Sequence, residues 1–165
     1  MTGLGTRLAA AALIALSGLS LTGAKGDSDR KTPYWASIAA NNAMMRTGPG
    51  RNYPATWRYV RADLPIKVIE TYPDWRKVQD PDGTTGWMLV RLLSDTRTAI
   101  VRGSGAQPMH EAPDAGSRIR YHAQPGVVGR LSRCAAQWCR FDAGGRQAYI
   151  RTANLWGVDG TESID

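Results

Sequence analysis

Reactive side chains are few, so the chemistry open to this chain is quickly narrowed. Cys134 and Cys139 are its only cysteines, and His110 and His122 its only histidines. A thiol beside an imidazole would be a nucleophile–base pair. Cys139, however, shares a strand face with Phe141 and so points at a core, and a second cysteine stands within bonding reach. The spacer Ala135-Ala136-Gln137-Trp138 closes a strand–turn–strand, and in an oxidising compartment the two sulfurs are expected to join as a disulfide. A zinc site needs four converging ligands, and the spacing of these residues fits no established zinc pattern. Both histidines read as ordinary surface or loop residues. Asp80 and Asp82 sit together in a turn, where bonding to the local backbone explains them better than acid–base work. Gly103-Ser104-Gly105 lacks the lysine and the helix of a phosphate-cradling loop and reads as a linker. With no catalytic set, metal or cofactor indicated, the expectation is a non-enzyme that recognises its ligand with aromatic side chains.

The aromatic residues are positioned first by the segment at 75–87, WRKVQDPDGTTGW. Asp80-Pro81-Asp82-Gly83 is a turn cluster, and β-forming residues flank it on both sides, so the segment reads as a hairpin. In its first arm Trp75, Lys77 and Gln79 share one face and Arg76 and Val78 the other. Trp75 is therefore expected to be half exposed, and Trp87 to pack in the core. Residues 42–47 form a short strand with Ala43 and Met45 facing one way. The run Arg46-Thr47-Gly48-Pro49-Gly50-Arg51-Asn52-Tyr53-Pro54 forbids regular structure and imposes a defined loop. Residues 66–71 make a strand, residues 89–93 a tight turn and residues 98–102 a closing strand.

Eighteen glycines, nine prolines and one phenylalanine fit short strands and many turns. The net charge of +7 is spread evenly: residues 25–95 carry 11 Lys/Arg against 8 Asp/Glu, and residues 96–165 carry 9 against 6. Specific nucleic-acid binding would want a basic cluster, and none is present. The charge instead favours weak attraction to carboxylates or phosphates. At the N-terminus, Arg7 precedes an uncharged run to Ala24, with Thr22 and Ala24 at the −3 and −1 positions of a cleavage site. Residues 1–24 read as a signal peptide and not as a stable membrane span, placing the mature protein in the periplasm or outside the cell. Residues 25–40 then read as a polar tether.

The order Arg46-x-Gly48-Pro49-Gly50-x-x-Tyr53-Pro54, a strand at 66–69, Trp75-Arg76-Lys77-Val78, and Gly83-x-x-Gly86-Trp87 resembles a bacterial SH3-like domain. The resemblance implies a five-stranded SH3-like barrel, of the kind found in exported bacterial proteins and beside cell-wall hydrolases. The pattern then repeats. An offset of 64 sets Met109-His110-Glu111 against Met45-Arg46-Thr47. An offset of 63 sets Trp138 against Trp75, and one of 62 sets Tyr149 against Trp87. The drift is what single deletions in two loops would give. The expected architecture is all-β, two tandem five-stranded SH3-like barrels at 41–103 and 106–158, the second more divergent. Cys134 to Cys139 and the terminal Leu155-Trp156-Gly157 also resemble the second domain of two-domain, exported SH3-like proteins of Gram-negative bacteria.

On such a barrel a ligand is expected in a groove edged by loops. The resemblance places Trp75 facing that groove, with Tyr53, Trp57 and Tyr59 of the long loop as the opposite wall. The competing reading is that Trp57 and Tyr59 only pin that loop to the barrel. Leu89 and Leu92 stand where a proline and a tyrosine help grip proline-rich peptides in eukaryotic SH3 domains, which argues against polyproline recognition. The expected partner is a peptidoglycan peptide or a periplasmic protein. The alternative is an accessory subunit of a periplasmic hydrolase or transporter complex.

Overall fold

A computed structural model describes residues 30–165. The expected signal peptide, 1–24, and residues 25–29 of the expected tether lie outside the described residues. The chain forms fourteen short strands in two seven-stranded antiparallel sheets, each coiled into an SH3-like barrel. The first holds β1 (Tyr34–Ile38), β2 (Ala43–Arg46), β3 (Ala55–Tyr59), β4 (Pro65–Tyr72), β5 (Trp75–Gln79), β6 (Thr85–Leu89) and β7 (Leu93–Ser94). The second holds β8 (Thr98–Val101), β9 (Gln107–His110), β10 (Ile119–Ala123), β11 (Val128–Ala135), β12 (Trp138–Ala143), β13 (Arg146–Arg151) and β14 (Leu155–Trp156). Strand order is β3-β2-β6-β5-β4-β1-β7 in one and β10-β9-β13-β12-β11-β8-β14 in the other. Adding seven to each label converts the first into the second. No helix among the described residues is long and apolar enough to cross a membrane.

Two assignments made from the sequence change here, and both concern the first strand of a repeat. Tyr34–Ile38 does not belong to a polar tether: it is β1, buried along its whole length and paired with β4 and β7. Tyr34, Ala36 and Ile38 enter the first core, while Trp35 and Ser37 face the second barrel. Burial on both faces removes the alternation that marks a half-buried strand. Thr98–Val101, in turn, does not close the first barrel. It is β8, paired with β11 and β14, and it repeats β1 at an offset of 63. Each unit thus has seven strands instead of five: in the first, β1, β3 and β7 join the four expected strands that stay in it, β2, β4, β5 and β6.

The repeat holds at the level of single hydrogen bonds. In the loop after β2, Thr47 N–H donates to Pro54 O, Gly50 N–H to Gly48 O and Tyr53 N–H to Gly50 O. In the loop after β9 the donors are Glu111, Asp114 and Ser117 and the acceptors Arg118, Ala112 and Asp114, each 64 residues on. The offset falls to 63 before Asp63 and Gly126, which share a positive φ and donate to Ile38 O and Val101 O. It falls to 62 in the hairpin turn, where the cross-strand pairs Val78↔Gly86 and Gln79↔Thr85 become Phe141↔Ala148 and Asp142↔Gln147 around a shorter loop.

The cysteines pair as expected. Cys134 and Cys139 stand opposite each other on β11 and β12 and form a disulfide. The turn between them puts Ala136 and Gln137 at positive φ, the backbone of a two-residue hairpin loop. Closing so small a loop is worth about 2 kcal/mol in the chain-entropy account.

The barrels meet along β1 and β14. The Trp35 and Trp156 rings pack edge to face, centroids 4.8 Å apart. Lys67 lies over Trp35 and reaches Asp159 at 3.8 Å, while Arg130 pairs with Asp63 at 3.1 Å. Past β14 the chain runs back across the second barrel. Arg97 grips the Glu162 carboxylate with both terminal nitrogens, and Ile164 exchanges both backbone hydrogen bonds with Cys134.

Candidate functional site

Trp75 opens β5 opposite Tyr72 and Leu89, on the outer face of the sheet, and it belongs to no part of the apolar core. The period-2 face assignment holds. The exposure expected from it does not: Trp75 is only 7% exposed, because Met44, Arg46, Arg51, Leu89 and Arg91 stand around it. These side chains rim two adjoining clefts of about 220 and 400 Å³, with Trp75 as a shared floor and Asp74 at one side. On the opposite face of β5, Arg76 is wholly buried. Its guanidinium donates to Tyr34 Oη and to the Tyr72 and Trp75 carbonyls, fixing the backbone that carries Trp75.

Three arginines converge on the groove from three elements. Arg46 ends β2 and donates to Tyr53 O at 2.7 Å, which ties the long loop to the groove rim. Arg51 lies in that loop and Arg91 in the 3-10 turn at Val90–Leu92; both are exposed. Val90 N–H donates to Asp74 O, holding the 3-10 turn against the start of β5. Among the described residues, none of the three arginines is ion-paired to a carboxylate. With Asp74 counted, the lining carries three positive charges and one negative.

The other aromatic residues singled out from the sequence lie elsewhere. Neither cleft is lined by Tyr53, Trp57 or Tyr59. The Tyr53 ring lies on Gly48 and Gly50, and a Cβ at Gly48 would come within 2.5 Å of it, so those glycines are there to seat the ring. Trp57 stands opposite Met45 on β3, the edge strand of its sheet, and is 57% exposed. Tyr59 is buried, and its hydroxyl donates to Asp80 Oδ2 at 2.8 Å. Burial first, then the hydrogen bond and charge of Asp80 and the charge of Asp82, push the phenol far above its ordinary range. Asp80 Oδ1 meanwhile accepts the Asp82 and Thr84 N–H groups, so one oxygen of this aspartate organises the hairpin turn, in line with its expected backbone role, and the other ties that turn to β3. Trp87, expected in the core, is partly buried on the outer face against Tyr72; Met88 takes the core position.

The second barrel builds the same place and stacks its own side chains on the tryptophan. Trp138 stands where Trp75 does, opposite Arg151 where Trp75 has Leu89. The Arg151 guanidinium lies 4.6 Å from the Trp138 ring centroid, and His110 packs edge-on at 5.2 Å. His110 is thus buried and not a surface residue. Its Nδ1 is 3.0 Å from Ser117 O, an acceptor only, so Nδ1 carries a proton; the contact repeats that of Arg46 with Tyr53 O. The positions of Arg46, Arg51 and Arg91 are held here by His110, Ala115 and Ala153. A cleft of about 220 Å³ lies beside Pro113, Trp138 and Tyr149.

Two tandem SH3-like barrels, one with an arginine-rimmed groove at a buried tryptophan, define a class of small β-barrel proteins built in repeats. The chain belongs to the bacterial SH3 domain family, whose model matches residues 39–95 and 103–157. Both matches begin after the leading strand, so β1 and β8 extend what the family model covers. No curated protein matches the sequence. Among solved structures the chain is similar to NlpC1 from Trichomonas vaginalis (11% identity, 78% of this chain and 47% of that one, TM-score 0.35). It is also similar to NlpC2 from the same organism (13%, 79% and 52%, 0.34) and to an NlpC/P60 family protein from Bacillus cereus (13%, 74% and 55%, 0.33). The aligned region spans about half the length of each of those chains.

Proposed function

We propose that this chain is an exported, non-enzymatic binding module whose first barrel holds a cell-wall peptide in the Trp75 groove. The observation that carries the reading is the contrast between the repeats. One fold position buries a tryptophan in both barrels, but the second barrel stacks its own Arg151 on the ring, while the first lines two adjoining clefts at the ring with Arg46, Arg51 and Arg91. A flat aromatic floor gives contact area at low entropic cost, and a rim of cations draws in an acidic wall polymer.

Co-sedimentation with purified sacculi tests this. Wild-type protein is expected to pellet with the wall, and Trp75→Ala to lose at least tenfold in retention. If Trp75→Ala proves unstable, Leu89→Arg replaces it: the new guanidinium would lie over Trp75 as Arg151 lies over Trp138. Added positive charge would by itself strengthen attraction to the wall, so lost retention would report a covered floor. Wild type that stays in the supernatant, or a folded Trp75→Ala that pellets undiminished, would refute the proposal. A second reading, an accessory subunit docking on a periplasmic hydrolase or transporter, is favoured by the exposed Trp57 on edge strand β3. On that reading Trp57→Ser, and not Trp75→Ala, abolishes association.

A further inference from the structure

The Trp75 groove also carries information about the ligand's charge, and this inference rests on the wall-binding reading above. We propose that the groove is a carboxylate clamp: Arg51 and Arg91, steadied by Arg46, hold a free carboxylate of a short acidic peptide lying over Trp75.

Three observations converge on this. Arginines from β2, the loop after it and the 3-10 turn line one cleft, and none is ion-paired to a carboxylate among the described residues. Like charges gathered at one place repel, and an oxyanion that bridges them removes the repulsion. The planar fork of arginine suits a carboxylate because it can donate two parallel hydrogen bonds. The second barrel provides the comparison within the same chain. Where Arg151 is stacked on the tryptophan, the positions of Arg51 and Arg91 are alanines, Ala115 and Ala153, so these two arginines belong to the first barrel's cleft and are not required by the fold.

The remaining lining separates a peptide from a polyphosphate-type chain. Met44, Leu89 and Leu92 give the groove apolar walls, and Asp74 shares the cleft with Arg51 and Arg91. A polyanion would be repelled by Asp74 and would leave the apolar walls unused. A peptide places aliphatic side chains against those walls and offers an amine or amide N–H to Asp74 while its carboxylate meets the arginines.

The test is titration calorimetry of the full chain with soluble wall fragments bearing free stem peptides. The same fragments with their carboxylates converted to amides, and inorganic polyphosphate, serve as comparison probes. Arg51 and Arg91 are exposed, so the Arg51→Gln/Arg91→Gln double variant is expected to keep the wild-type melting temperature. Native fragments are expected to bind, with amidation and the double variant each weakening affinity about tenfold or more, consistent with loss of a charge-assisted contact. Equal affinity for native and amidated fragments, or polyphosphate binding tighter than peptide, would overturn the clamp while leaving wall binding in place. If no wall fragment binds, the wall reading fails and triglutamate becomes the deciding probe. Triglutamate binding that the double variant abolishes would support the clamp, and its absence would overturn it.

Discussion

Tyr59 donates to the same aspartate that closes the 80–84 turn, so one buried hydroxyl connects β3 to the far end of the β5–β6 hairpin. Tyr59→Phe strands one Asp80 oxygen and is expected to lower unfolding stability in urea by about 1–2 kcal/mol. The phenol also sets an alkaline limit. Its folded-state pKa lies above the unfolded value near 10, so above that pH the unfolded chain loses a proton that the folded one keeps. Stability from this group is complete below pH 10 and falls as the pH rises beyond it. Melting curves between pH 9 and 11 are expected to show a loss in wild type that Tyr59→Phe lacks. At this scale the sequence was a partial guide. Period-2 alternation put Trp75, Lys77 and Gln79 on one face and Ala43 with Met45 on another, as observed. What alternation cannot express is cover from other elements. Trp75 is hidden by arginines from three segments, and His110 by its stack on Trp138.

Among elements, the C-terminal tail is held by few contacts. The Ile164 bridge to Cys134 extends the second sheet, and the Arg97–Glu162 pair fastens the tail before it arrives. Burial raises the Glu162 carboxyl. The Arg97 hydrogen bonds, the Asp159 N–H and the Arg97 and Arg30 charges outweigh that effect and hold it below its ordinary range. A depressed carboxylate stabilises the docked tail above the unfolded pKa, and that contribution is lost as the pH falls through the folded one. Hydrogen exchange at the Cys134 and Ile164 amides is therefore expected to quicken in Glu162→Gln at neutral pH. Acidification should lower the protection factors of these amides in wild type, taken against the intrinsic exchange rate at each pH, with little further change in the variant. Unchanged protection in Glu162→Gln would show that the bridge holds the tail unaided. Elements were legible where turn chemistry and alternation coincide, as in β2, β4 and the β5–β6 hairpin. β1 was missed because it is buried on both faces, and β3 because an exposed edge strand after a Gly/Pro-rich loop has no apolar stripe.

For the whole molecule, the seam between the barrels decides whether they act as one body. Gly157 sits there at φ +123°, and a Cβ would meet Thr98 O, Ala99 Cα at 2.8 Å and Pro65 Cβ at 3.1 Å. Gly157→Ala thus combines an unfavourable φ with a clash against both barrels, and it is expected to cost about 2 kcal/mol or more. A lower melting temperature together with a larger radius of gyration by small-angle scattering would check this. An unchanged melting temperature would mean that the seam yields. The tandem architecture was visible in the sequence because deletions confined to loops preserve a repeat. The ownership of β8 was not, since no local pattern tells a strand which of two adjoining sheets it enters.

The central claim is that two copies of one barrel treat the same tryptophan position differently, the first rimming it with arginines that await a ligand and the second stacking its own Arg151 on the ring. Backbone and indole NMR shifts of the full chain, titrated with soluble wall fragments, address it most directly. The account predicts saturable changes at the Trp75 indole, Arg51 and Arg91, with Trp138 and Arg151 unmoved. Changes centred on Trp138, or spread equally over both barrels, would contradict it.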